Sequence, residues 1–206
     1  MHFARCVVIA AMALIAAGCS KGGNKTVSAD EMTLGNPNAK VTVIEYASVA
    51  CPVCANFNNT VFPAFKTKYI DTGKVKYVSR EALTGNPTLA AAGFLMARCA
   101  GKDKYFSVID AIYHAQDEIY DPGTESVGSA GRGVLLRIAQ QAGLNESQFT
   151  ACVSDDAALK ALNARAEKYA KLDDVDATPT FIVNGKKLVG DQSLAEFDNV
   201  IQPLLK

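Results

Sequence analysis

The sequence Cys51-Pro52-Val53-Cys54 sets two cysteines at a spacing that carries chemistry of its own in this 206-residue chain. Three residues is close to one helical turn, so on a helix the two sulfurs share a side, one at the tip and one shielded behind it. At a helix N-terminus the backbone N–H groups and the helix dipole favour the thiolate, which is the nucleophilic form. The second sulfur then resolves a mixed disulfide or closes the ring. Pro52 takes a first-turn position, where its missing N–H does no harm. A lone CxxC also occurs in zinc knuckles and structural loops, so the elements around it decide how it reads.

Those elements are legible on both sides. Val41-Thr42-Val43-Ile44-Glu45-Tyr46 is β-branched and mostly apolar, a buried strand. Ser48 to Cys51 turns from it into a helix whose apolar side is Ala55, Phe57, Val61 and Phe62, with a kink expected at Pro63 and an end at Gly73. Lys74 to Ser79 alternates and predicts a second strand. Residues 86–173 turn helical: Leu89, Ala92, Gly93 and Met96 recur at helical spacing, as do Tyr105, Val108, Ile109 and Ile112. A glycine-rich loop is expected from Asp121 to Gly133, then helices over Val134–Ala142, Glu146–Val153 and Asp156–Lys171. After Pro179 come a strand, Thr180–Val183, an Asn184-Gly185 hairpin turn, a strand, Lys187–Val189, and a last helix, Leu194–Leu205. Without the helical block an α/β core remains, so the block reads as an insertion between the second and third core strands.

Composition narrows the function classes. With 49% hydrophobic and 20% charged residues the chain can bury a core. Lys+Arg and Asp+Glu are 21 each, a balance that offers no basic face for nucleic acid. Arg5 and the apolar run Cys6–Ala17 have the layout of a signal peptide over residues 1–18, too short to span a membrane. Its end, Leu14-Ile15-Ala16-Ala17-Gly18-Cys19, resembles the bacterial lipobox, which implies lipidation of Cys19; plain cleavage with Cys19 free or removed is the alternative. Residues 19–36 read as a lipid-attached flexible tether and 37–206 as the folded domain. Four cysteines then remain, Cys51, Cys54, Cys99 and Cys152, an even number that fits an oxidising compartment. A metal site is the competing reading, weakened by a single histidine, His114, beyond the leader and by the wide spacing of the second cysteine pair.

VTVIEYASVACPVC (41–54), DATPTFIVNGK (176–186) and the helical block between them together resemble the thioredoxin superfamily, and within it the DsbA-like disulfide oxidoreductases. The resemblance covers about residues 34–206 and implies a thioredoxin-like α/β fold with a helical insertion at about 86–173. It implies that Thr178-Pro179 is the cis-proline loop beside the dithiol, with Thr178 contacting substrate backbone. It implies that Glu45 is the buried acid exchanging a proton with Cys54, against the plainer reading of a solvated strand glutamate. It implies a second, non-catalytic bridge between Cys99 and Cys152, against two buried free thiols. Val53 departs from the strongly oxidising members, which have histidine there. His114, Tyr105-Phe106 and Lys186-Lys187 read as surface or core residues.

The expected function is an enzyme forming disulfides in reduced, exported proteins, needing no soluble cofactor and no metal. A membrane redox partner would reset the dithiol, as the resemblance implies. A lipid-anchored periplasmic monomer is expected, leaning toward the outer membrane through Ser20 after Cys19. Two alternatives remain open: a disulfide reductase serving particular exported cysteines, and a non-catalytic thioredoxin-like binding or chaperone module.

Overall fold

The computed structural model describes residues 30–120, 127–128 and 130–206. The expected signal peptide, Cys19 and the tether up to residue 29 lie outside the described residues. A five-stranded sheet in the order β1-β3-β2-β4-β5 forms the centre: β1 Met32–Gly35, β2 Val41–Ala47, β3 Val75–Glu81, β4 Thr180–Val183 and β5 Lys186–Val189. β2 and β3 run parallel, and the other neighbouring pairs are antiparallel. A parallel pair needs a crossover. Helix α1 (Pro52–Thr60), helix α2 (Phe62–Phe65) and a π-helical turn (Lys66–Ile70) supply it.

Strand side chains alternate between faces, and this divides the core. Val41, Val43, Tyr77, Phe181 and Val183 face α1, where Phe57, Phe65, Tyr69 and Phe197 complete an aromatic cluster. Ile44, Tyr46, Val78 and Ile182 face the other way, onto Tyr169. Between β3 and β4 the chain forms α3 (Pro87–Cys99), α4 (Lys102–His114), α5 (Gln116–Ile119), α6 (Gly131–Gln141), α7 (Glu146–Val153) and α8 (Asp156–Asp173), and α9 (Leu194–Leu204) ends the fold. The insertion has its own core, built on Leu89, Phe94, Met96, Tyr105, Ile112 and Phe149, and that core is continuous with Cys51 and Cys54. A Cys99–Cys152 disulfide joins α3 to α7.

Several boundaries differ from expectation. The sheet starts inside the expected tether, because Met32–Gly35 pairs antiparallel with β3, from Gly35↔Lys76 through Met32↔Ser79. With β1 counted, the insertion lies between the third and fourth strands. The helix after Cys51 breaks at Val61, two residues ahead of Pro63, whose ring sits in the first turn of α2. The expected loop over Asp121–Gly133 is shorter at its end: helix α6 begins at Gly131, where an added Cβ would meet Val127 Cγ1 at 2.4 Å.

On the α8 face, Arg80 is buried with its charge fully matched. Its Nε donates to Glu31 at 2.5 Å, and its Nη1 donates to Asp173 and to the Tyr46 hydroxyl, each at 2.7 Å. The Tyr169 ring covers its guanidinium at 4.2 Å. This cluster ties the first described residues, the sheet and the end of α8 together. Breaking a buried pair from one side strands the remaining charges, at a cost of about 3–5 kcal/mol. Arg80→Leu should therefore lower the unfolding free energy in urea by about that amount at neutral pH.

Candidate active site

The dithiol sits where β2 ends and α1 begins. Cys51 is the N-cap of α1, in extended backbone (φ −96°, ψ 119°), and its Sγ accepts from the Cys54 N–H at 3.4 Å. A sulfur thus occupies the capping position that an oxygen usually fills, at the positive end of the helix. Cys51 is 8% exposed and Cys54 is fully buried, so one sulfur faces outward and its partner lies behind it. Val53, between them, is 46% exposed.

The Thr178–Pro179 peptide bond is cis, and the Thr178 carbonyl accepts from the Cys51 thiol at 3.6 Å. Three loops meet here. The Ser48 hydroxyl donates to the Thr84 carbonyl at 2.8 Å, and the Thr84 and Thr178 hydroxyls pair at 2.6 Å. The Cys51 thiol is lowered to about 6. Hydrogen bonding from the Cys54 thiol is the largest cause, burial opposes it, and the Thr178 side chain and the Cys54 and Val53 N–H groups add to it. Cys54 is displaced far upward by burial and by its neighbour's sulfur. The two thiols are chemically unequal: the outer one ionises and the inner one holds its proton.

Glu45 shares the α1 face with Val43, as period-two alternation requires, and is 8% exposed. Burial pushes its carboxyl up to about 7 against a hydrogen bond donated by the Tyr77 hydroxyl, and the Cys51 charge adds to the rise. A cavity of about 30 Å³, room for one water, lies against Glu45 and is also lined by Asn58, Tyr77, Ser79, Asp110 and Tyr113. Among the described residues no group of three His, Cys, Asp or Glu side chains could hold a metal. His114 is exposed on the far end of α4, Tyr105 is core, and Lys186 and Lys187 lie on the exposed hairpin.

The structure therefore brings Cys51, Cys54, Glu45, Thr178 and Pro179 into one site and places Cys99 and Cys152 outside it. Sequence reasoning missed Tyr77, Thr84, Gln116 and Tyr120. Tyr77 was visible as a strand residue on the Glu45 face, whereas Thr84, Gln116 and Tyr120 reach the site only through loop and insertion packing, with no local signal.

The Thioredoxin family model matches residues 27–203. The chain belongs to the thioredoxin family. Its DsbA-like architecture is shared with Wolbachia pipientis alpha-DsbA1, at a TM-score of 0.75 and 26% identity over 87% of this chain and 92% of that one. A putative protein-disulfide oxidoreductase of Rickettsia bellii is 35% identical over 159 residues, 77% of this chain and 59% of the relative. The disulfide bond formation protein D of Bacillus subtilis is 24% identical over 194 residues, 89% of this chain and 82% of that protein. The chain spans 55–62% of the length of the rickettsial relatives it matches.

The raised Glu45 carboxyl makes a pH-dependent claim. A carboxyl that binds its proton more tightly folded than unfolded loses stability as pH rises from its ordinary value of 4.5 through about 7. Glu45→Gln keeps an oxygen to accept from Tyr77 and removes that titration. In urea, the reduced variant should match the wild type near pH 4 and exceed it by about 3 kcal/mol near pH 8.

Proposed function

We propose that the chain is a thiol–disulfide oxidoreductase that forms disulfides in exported proteins through Cys51 and Cys54. The observation that carries this reading is the inequality of the two thiols, the outer near 6 and the inner held protonated, beside a buried acid near 7. A client thiolate attacks Cys51 Sγ of the oxidised pair, the Cys51–Cys54 bond breaks, and Cys54 leaves with the electron pair. Buried Cys54 cannot stay ionised, so it takes the proton of Glu45. A second client thiolate then attacks the client sulfur of the mixed disulfide. It expels Cys51, which leaves readily because its thiolate is stabilised. The client gains a disulfide and the protein two electrons. The Thr178 carbonyl and the cis-proline turn present backbone to the client beside the outer sulfur. Among the described residues no helix is long and apolar enough to cross a membrane. Export and membrane attachment rest instead on the leader-like residues 1–18 and on Cys19. A membrane redox partner resets the dithiol, the protein acts as a periplasmic monomer, and the Cys99–Cys152 bridge serves stability.

A second reading, disulfide reduction, is favoured by one observation. A Cys51 near 6 lies closer to the value of about 7 typical of thioredoxin than to the value of about 3.5 typical of DsbA. Val53 accounts for this, since its side chain offers the sulfur no donor and no charge. The couple is accordingly a milder oxidant than a histidine-bearing version.

Equilibration with glutathione separates the readings. A potential nearer the about −120 mV of DsbA than the about −270 mV of thioredoxin, with oxidation of a reduced peptide that is lost in Cys51→Ser, supports the oxidase; a value nearer about −270 mV favours the reductant. Val53→His should lower the Cys51 midpoint by about one pH unit or more, read from thiolate ultraviolet absorbance. An unchanged midpoint would detach the potential from position 53.

A further inference from the structure

The segment that aims Cys51 is residues 49–51, and the insertion holds it from the side. Each peptide group there is accounted for at both ends. The Val49 carbonyl accepts from Gln116 Nε2 at 2.8 Å, and the N–H across that bond, on Ala50, donates to Ser48 Oγ at 3.2 Å. The Ala50 carbonyl accepts from the Tyr120 hydroxyl at 2.7 Å, and the Cys51 N–H donates to the Ser48 carbonyl at 3.0 Å. The Cys51 carbonyl accepts from the Ala55 N–H at 3.1 Å and from the same Gln116 amide at 3.4 Å, and Pro52 has no N–H to place. Buried peptide groups need partners, and a peptide held at both ends cannot rotate without losing one.

Gln116 lies in the short helix α5, 65 residues along the chain from Cys51, and is 6% exposed. A buried side-chain amide is costly unless hydrogen-bonded, and its described bonds go to the dithiol loop. The same loop is also approached by Gly85, at φ +73°, where an added Cβ would stand 2.5 Å from the Ala50 carbonyl oxygen. That carbonyl thus has a backbone wall on one side and the Tyr120 hydroxyl as its donor.

We infer that Gln116, seconded by Tyr120, is a positioning residue through which the helical insertion sets the reactivity of Cys51. The chemistry is electrostatic. Carbonyl oxygens around the first turn present negative charge close to a sulfur that works as an anion. The amide of Gln116 neutralises two of these oxygens, and it keeps the loop oriented so that the Cys54 N–H meets the sulfur. The insertion is therefore part of the dithiol's electrostatic setting as well as a wall of the core. This rests on the proposed exchange at Cys51–Cys54.

Gln116→Met keeps the side-chain length and removes both donors; Tyr120→Phe removes one hydroxyl. The thiolate midpoint of each reduced variant is followed by ultraviolet absorbance, with near-native circular dichroism as the condition for reading it. Gln116→Met should raise the midpoint by about half a pH unit, seen also as an alkylation rate at pH 6 reduced about twofold. Tyr120→Phe should shift it the same way by less, and it decides the matter if Gln116→Met does not fold. Tyr69→Phe is the control. It loses a 2.5 Å hydrogen bond to Asp198 in the aromatic cluster, away from the dithiol, and should leave the midpoint in place. A wild-type midpoint in the deciding variant, or an equal shift in Tyr69→Phe, overturns the inference. Peptide oxidation by the wild type tests the underlying exchange separately.

Discussion

The hydrogen bond from the Cys54 N–H to Cys51 Sγ is the contact on which the site depends. It places one sulfur at the tip of α1 and, through the turn of the helix, forces the other inward. Helix geometry alone makes the pair unequal, because the first residue of the turn sees unsatisfied N–H groups and the fourth sees the core. The rest of the molecule amplifies that inequality. The Cys54 side is closed by apolar packing continuous with the insertion, and Cys51, at the edge of that packing, meets the Thr178 carbonyl. Either sulfur could in principle be the nucleophile of a CxxC pair. Here burial leaves Cys51 as the outer of the two.

Keeping a helix end open and its base shut requires that four segments arrive together, and each is delivered by a different part of the fold. β2 brings Glu45 and the loop at Ser48; β3 brings Tyr77 and, past its end, Thr84; the insertion brings Gln116 and Tyr120; the residues after α8 bring Thr178 and Pro179. The sheet order explains why these meet. β2 is central, with β3 on one side and β4 on the other, so the ends of both neighbours lie beside the start of α1. The Arg80 cluster secures the far face of that arrangement, fixing the end of α8 from which the chain enters the proline turn.

The parts of this arrangement that follow from local rules were legible in the sequence. The strand Val41–Ala47, the first turn at Pro52, and the hairpin at Asn184-Gly185, both residues at positive φ, are each specified by nearby side chains. Resemblance supplied what spacing could not, namely the roles expected of Glu45 and Thr178-Pro179 and the pairing of Cys99 with Cys152. What escaped both is non-local. Met32–Gly35 is polar-flanked and short, and is a strand only because the edge of β3 is open to it. Gln116 has nothing around it to mark a buried polar contact, since its partners are carbonyl groups of a segment 65 and more residues away.

Comparison of the buried carboxylates separates structure from function within one domain. Glu31 and Asp173 share Arg80, and Glu81 is bracketed by Arg98 and Arg165, so each is matched by a guanidinium where it is taken out of water. The attraction within such pairs offsets part of the cost of taking both charges out of water. Glu45 is treated differently. Among the described residues no ion pair reaches it; its partner is the neutral Tyr77 hydroxyl, and burial lifts its carboxyl to about 7. A protein that needed only to tolerate a glutamate there would have provided a cation or replaced it. An acid with no ion pair and its carboxyl lifted to about 7, beside a buried thiol, is where the proposed exchange would find its proton, and its burial costs stability above that pH.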